Sequence, residues 1–296
     1  MAFRAAEYER FSGTRSNAPP WWPLWHATFQ RGWASRWIRM ITFGGIAIAA
    51  IISLILYFVQ KVVPEWRAML EEMGQRVGGE GPSLRFDAEI YLILLHWFVY
   101  PVLVPMAMLL GYDLMAGDLR GNALESYFSR PITPLGYLAG RSLAFVSFLL
   151  LPTLAPMLWI WCMDVFTAPA GHFAAVRMVP LGLSAALLLI SLSLALFIQA
   201  LTTITRSGLW TALVFVILFI LSGGIGPALA DLTDQRAFMA LAFWDNIFSV
   251  ANGFLGYPEP ARQHAPFALS VSILGGITLL CFLYLLAKVK HRALVG

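Results

Sequence analysis

The sequence predicts an all-α polytopic membrane protein with six transmembrane helices, and three observations predict it. Of the 296 residues, 59% are hydrophobic and only 12% charged, where a soluble domain carries about 25% charged residues. Mean hydropathy is +0.73. Six separate apolar runs, at 39–60, 90–112, 142–161, 179–203, 208–228 and 266–287, are each long enough to cross ~30 Å of hydrocarbon. Together they define a six-span domain over 39–287.

Residues 1–19 are polar, basic and end in proline, with no apolar core for a signal peptide, and read as a cytosolic tail. Over 20–38 the composition changes sharply. Trp22, Trp25, Phe29, Trp33 and Trp37 recur at three- and four-residue spacing, with Arg31 on the opposite side and Arg36 able to snorkel outward. That pattern predicts an amphipathic helix in the membrane interface, tryptophans at headgroup depth. The alternative is that these residues begin a long, tilted first span.

The loops differ in kind. Residues 61–89 form a charged external segment, with Val62–Arg76 helical and a break at Gly78–Pro82; 162–178 form a shorter external connection. The turn at 204–207 is short and cytosolic. Leu221–Pro227 (LSGGIGP) is expected to break the fifth helix. Ala237–Phe254 is then a second amphipathic stretch carrying Asp245 and Asn246, too interrupted to cross the bilayer and too apolar for a free loop. It fits an external re-entrant or surface-lying helix. Residues 288–296 are a second cytosolic tail, and no internal repeat is present.

The stretch most unlike its surroundings is Asp113–Arg141, between spans two and three. Asp113, Asp118, Arg120, Glu125, Arg130 and Arg141 would together cost roughly 15–20 kcal/mol in lipid, so the stretch is expected outside the hydrocarbon. Asp118 can cap a helix starting at Leu119. Leu119, Ala123, Leu124, Tyr127 and Phe128 cover one half of its wheel, with Arg120 among them, and Asn122, Glu125, Ser126 and Ser129 fill the other. Pro131 stops it. Thr133 before Pro134 reads as the N-cap and first-turn proline of a helix entering the membrane. A half-apolar rod of this kind suits a docking surface for another protein.

Orientation follows from basic residues. Placing the N-terminus, 113–141, Arg206 and the C-terminus inside puts 13 of the 20 Lys/Arg there, which the positive-inside rule reads as both termini cytosolic. The setting is a cell membrane, a bacterial inner membrane in particular.

Several chemistries find no support. Lysines number three and no Gly-Lys pair occurs, so a Walker-type phosphate loop is excluded and any ATP must be bound by another chain. Cys162 and Cys281 sit at and inside different apolar runs, which argues against a disulfide. A membrane enzyme built on His96 or Asp164 with Asp245 lacks paired carboxylates and any HExxH or GxSxG spacing. Met157, Cys162, Met163, Asp164 and His172 cluster around one external loop and offer soft ligands for copper, at a spacing that matches no known site. No cofactor is expected in the chain itself and no nucleic-acid partner. His96 and Tyr100 share the second span with Pro101 and Pro105, and two prolines freeing carbonyls in mid-membrane mark a candidate cavity wall. A satisfied histidine in a tilted helix explains them as well. Pro152 and Pro156 are expected to kink the third span. Gln199, with Thr202, Thr203 and Thr205, ends the fourth span, as an interhelical hydrogen-bonding group or a further wall residue.

The run Leu124-Glu125-Ser126-Tyr127-Phe128-Ser129-Arg130-Pro131-Ile132-Thr133, followed by Tyr137-Leu138-Ala139-Gly140-Arg141, resembles the first cytosolic loop of ABC-2 type permeases, the membrane subunits of many ATP-binding-cassette exporters. The likeness is close over about 25 residues; elsewhere it is one of plan. It implies that Asp118, Leu119, Arg120, Leu124, Glu125, Tyr127 and Phe128 belong to a coupling helix seated in a groove of a nucleotide-binding subunit. Arg130 and Pro131 would be its rigid join to the third span. It also implies ATP and magnesium bound by that partner, a second permease copy or paralogue completing the pathway, and export by alternating access. The family's second cytosolic contact maps only to the short turn around Thr205 and Arg206. The charged segment 61–89 is a candidate contact for an external or periplasmic partner. A non-transporting scaffold that docks a cytosolic protein through 118–129 is the other reading of the same residues.

Overall fold

The computed structural model describes residues 19, 21–63, 65, 89–111, 132–169, 171–256 and 264–295. Among them are helices and turns and no strand. Six helical segments are long and apolar enough to cross a membrane: Arg36–Val62, Ile90–Leu110, Pro134–Thr167, His172–Thr205, Gly208–Thr233 and Phe267–His291. The chain is therefore an all-α polytopic membrane protein.

Helix α1 (Trp21–Ala34) ends where Ser35 turns extended, at φ −67° and ψ 126°, and α2 (Arg36–Tyr57) begins at once. The amphipathic helix expected over 20–38 thus stops at Ala34, and Arg36 and Trp37 belong to the first span. The aromatic stripe on α1 does form. Trp22, Trp25, Phe29 and Trp33 stack in series with ring centroids 4.7, 5.5 and 6.0 Å apart. Much of it packs on α5 (Pro134–Leu150): Phe29 stacks on Phe148 at 4.5 Å, and the Trp25 indole N–H donates to Ser147.

Two spans carry irregular turns where prolines remove a backbone donor. In the second, α3 (Glu89–Phe98) passes into a π-helical turn, Val99–Leu103, that contains Pro101, before α4 (Val104–Leu110). In the third, α5 ends at Leu150 and α6 (Leu154–Thr167) starts after a turn at 151–153 containing Pro152. This span is longer than the 142–161 expected, so Cys162 and Asp164 lie in its last turns and not in a connecting loop. The α2 helix crosses the third span at that turn. A Cβ on Gly45 would lie 2.7 Å from the Pro152 carbonyl oxygen, so only glycine permits the approach.

After α7 (His172–Val176) comes α8 (Val179–Thr205), the axis of the bundle. Its span is 61% buried, against 17% for α9 (Gly208–Thr233) and for α11 (Phe267–Val295), which lie at the periphery. Two expectations fail here. Helix α9 does not break at Leu221–Pro227 but runs on to Thr233. Among its glycines Gly226 serves close packing, since a Cβ there would lie 2.9 Å from the Ala242 nitrogen. Likewise, residues 288–295 extend the last helix and are not a separate tail. Between α9 and α11 the chain makes a 3-10 turn, Arg236–Leu241, then α10 (Phe243–Phe254).

Candidate functional site

One end of the bundle carries α1, the starts of α2, α5 and α9, and the ends of α8 and α11; we call it the terminal side. The predicted coupling residues Asp118, Leu119, Arg120, Leu124, Glu125, Tyr127, Phe128, Arg130 and Pro131 lie outside the described residues, as does most of 61–89. What is described is the helix they lead into. The Thr133 hydroxyl accepts the Gly136 N–H at 3.0 Å and Pro134 occupies the first turn, so α5 has the cap its sequence predicts.

Arg141, counted among the charges that keep 113–141 outside the hydrocarbon, is in the second turn of α5 and is not solvated: it is 2% exposed beneath α1. Its Nη1 donates to Thr28 at 2.9 Å, and its guanidinium stands 5.8 Å from the Tyr137 ring centre. The loop argument counted charges but not the cover that α1 provides. A Cβ on Gly140 would lie 2.8 Å from the Trp21 carbonyl oxygen, so α1 and α5 meet backbone to backbone here. Thr205 and Arg206 end α8. Arg206 takes the left-handed conformation at φ 52°, and Thr205 shares a 2.7 Å hydrogen bond with Thr211 across the turn into α9.

The stretch 237–254 is re-entrant. The Phe243 ring lies 6.1 Å from Phe197 and 6.0 Å from Phe219. Phe197 stands about two-thirds of the way along the roughly 40 Å of α8. The α10 N-terminus is therefore deep within the bundle. From there α10 runs back to Phe254, whose carbonyl lies against Gly182 near the start of α8. The Asn246 amide holds the inner bend, donating to the carbonyls of Ala240 and Ala242 at 2.6 and 3.0 Å. Asp245 ties α10 to the start of α11, accepting from His264 at 2.6 Å and from the Ala265 N–H at 2.7 Å.

The candidate wall residues are not brought together. His96 donates to the Leu92 carbonyl at 2.8 Å and stacks on Phe248 of α10 at 3.6 Å. Tyr100, exposed, leans on Trp244 at 4.5 Å. Both face the re-entrant helix. Gln199 lies toward the terminal side, fully buried, accepting from Ser142 at 3.2 Å. An apolar cleft of about 420 Å³ between α5 and α8 has Ser142 as its polar lining residue, among Leu138, Val146, Leu188, Leu192 and Leu196.

The side opposite the termini holds a denser polar cluster. Asp164, 3% exposed, accepts from Gln60 Nε2 at 2.6 Å, Tyr91 Oη at 2.7 Å and His172 Nε2 at 2.8 Å. Thr167 donates to Gln60 Oε1 at 2.5 Å. These residues come from the ends of spans one and three, the start of span two and α7. Of the soft-ligand candidates around this cluster, Met157 is sealed in the apolar core and Asp164 and His172 are bonded to each other; no group of three or more His, Cys, Asp or Glu able to hold a metal occurs among the described residues. Gln60 and Tyr91 were missed in the sequence. The available signal was a lone amide and a lone phenol at apolar span ends, where a buried polar group needs a partner.

Comparison with protein-family models, with curated proteins and with solved structures finds no match for this chain.

Proposed function

We propose that this chain is the permease subunit of an ABC-2 type exporter in a cell membrane, with both termini cytosolic. It would couple ATP hydrolysis by a separate nucleotide-binding subunit to alternating access and export, paired with a second permease copy or paralogue. The feature that carries the reading is the sequence of 124–141, with its half-apolar pattern and Arg130-Pro131, leading into the capped start of α5 at Thr133. Six apolar helices and an N-terminal amphipathic helix are compatible with that plan. The described end of the stretch also suits force transmission. Thr133 caps the start of α5, and Arg141 ties α5 to α1 two turns further on. A push on residues 118–129 would then move two helices as a unit instead of being lost in a flexible join.

The test is to purify the chain with candidate nucleotide-binding subunits from its own genome and compare wild type with Tyr127→Ala and Phe128→Ala. The expected result is weaker complex formation, or hydrolysis no longer stimulated by the permease. Complex formation and hydrolysis both untouched would overturn the reading. A complex that forms but moves no solute across a vesicle membrane would leave the chain a scaffold.

A further inference from the structure

The cluster around Asp164 lies far from the proposed coupling loop, at the other end of the bundle, and that proposal gives it no role. Three features set it apart from an ordinary helix contact. First, the ends of spans one, two and three are joined here by polar groups, Gln60, Tyr91, Asp164 and Thr167, with His172 of α7 added. Elsewhere the bundle is closed mainly by Leu, Ile and Phe side chains. Apolar contacts resist separation by water, whereas each hydrogen bond here can be exchanged for one to water once the ends part. Second, Gln60 sits in a π-helical turn, Phe58–Val62, a form associated with functional positions in helices. Third, Gly171 at the start of α7 takes φ 95°, a left-handed conformation glycine adopts without cost, while Ala168 is extended, as the residue before a proline is.

From these we propose that Gln60, Tyr91, Asp164, Thr167 and His172 form a releasable latch that closes the bundle opposite the termini. Asp164 is the common acceptor. When the latch parts, water enters between the ends of spans one, two and three. The inference goes beyond the permease reading and does not depend on it, because the latch is a property of this chain without any ATPase.

The test uses the full chain in lipid nanodiscs, with no nucleotide or partner present. Cys162 and Cys281 are replaced by serine, and a single cysteine is placed at Ile160, fully buried one turn deeper than Asp164 on the same helix. Labelling by a charged maleimide reports water reaching that site. With the latch intact, labelling is slow; Asp164→Asn is expected to speed it at least tenfold, with monodispersity and helicity unchanged. Where Asp164→Asn does not fold, Tyr91→Phe, which removes one hydroxyl, is expected to speed it severalfold. A folded variant in which Ile160→Cys stays as protected as before overturns the latch. A second arm separates release from general loosening. Cysteines at Gln60 and Thr167, bridged by a short bis-maleimide that adds both thiols as thioethers, are expected to restore protection in the Asp164→Asn chain, assayed by hydrogen exchange over 157–163. Exchange left fast by the completed bridge also overturns it.

Discussion

The contact between Thr28 and Arg141 gives the sharpest test of how the N-terminal helix is held. Both residues are buried, at 3% and 2% exposure, and the 2.9 Å bond joins α1 to α5. Thr28→Val keeps the side-chain shape and removes the acceptor. A hydrogen bond to a charged group contributes about 1.5–3 kcal/mol, and the loss falls on a guanidinium that water cannot reach. The Thr28 hydroxyl also donates to the Leu24 carbonyl within its own helix, a group already in the helical ladder, so that part of the loss is small. At about 2–4 °C per kcal/mol for a chain of this size, the melting temperature in fixed detergent should fall by roughly 3–12 °C. A double-mutant cycle makes the reasoning falsifiable. Arg141→Met replaces the guanidinium with a flexible apolar chain. In that background Thr28→Val should cost less than about 0.5 kcal/mol, because the group it served is gone. The measurement is thermal unfolding of all four proteins by circular dichroism. Equal losses from Thr28→Val in both backgrounds would show no coupling and refute the account.

Three further outcomes follow from single positions. Gly44 and Gly45 are neighbours with opposite surroundings: a Cβ meets nothing at Gly44 and the Pro152 carbonyl at 2.7 Å at Gly45. Gly44→Ala should therefore raise stability by up to about 1 kcal/mol through helix propensity. Gly45→Ala should lower it by about 1–3 kcal/mol through overpacking, and thermal unfolding of the pair would expose the error if both moved the same way. Thr133→Ala should cost about 1 kcal/mol and Thr133→Ser little, since serine caps as well; the same melting assay decides. Ser193 and Thr278 share a 2.7 Å hydrogen bond between α8 and α11. A cycle with Ser193→Ala and Thr278→Val should give a coupling of only about 0.6 kcal/mol, the usual scale for such bonds in membranes; a value above 2 kcal/mol would mean the pair does more than join two helices.

Apolar length alone made the spans legible, because lipid leaves helices as the only option for an open chain. The Thr133-Pro134 start of α5 was legible for a local reason: a cap acts within one turn. The failures share a different cause. Leu221–Pro227 reads as a breaker in one dimension, yet Gly226 is where the chain at Ala242 comes close, so that glycine belongs to a tertiary contact. Arg141 reads as a loop charge until α1 folds over it. Ala237–Phe254 reads as re-entrant or surface-lying in equal measure, and only the rings of Phe197 and Phe219 around Phe243 decide for the former. Asp164 was legible as an unusual residue, but its partners Gln60 and Tyr91 lie 104 and 73 positions away. No local pattern connects them.

The same comparison explains why contacts of this kind decide the fold. Between helices in lipid there is no hydrophobic gain from bringing one leucine face to another, since the acyl chains are equally apolar. What selects one arrangement is close approach and polar pairing, and these recur at the crossings: Gly45 against Pro152, Gly140 against Trp21, Gly182 against Phe254, Ser142 with Gln199, Ser193 with Thr278. Large apolar residues fill the space between these points and can be exchanged among themselves at modest cost. The two ends of the bundle then differ in how they are fixed. The terminal side has backbone contact at Gly140 and a buried guanidinium under α1, both of which are lost if the helices separate. The opposite side has the close approach of Gly182 to Phe254, but the ends of spans one, two and three are joined there by hydrogen bonds that water can replace. A bundle built this way hinges at the end with replaceable bonds. If the Asp164 cluster proves harder to open than the α1–α5 contact, the assignment of the rigid and yielding ends is reversed.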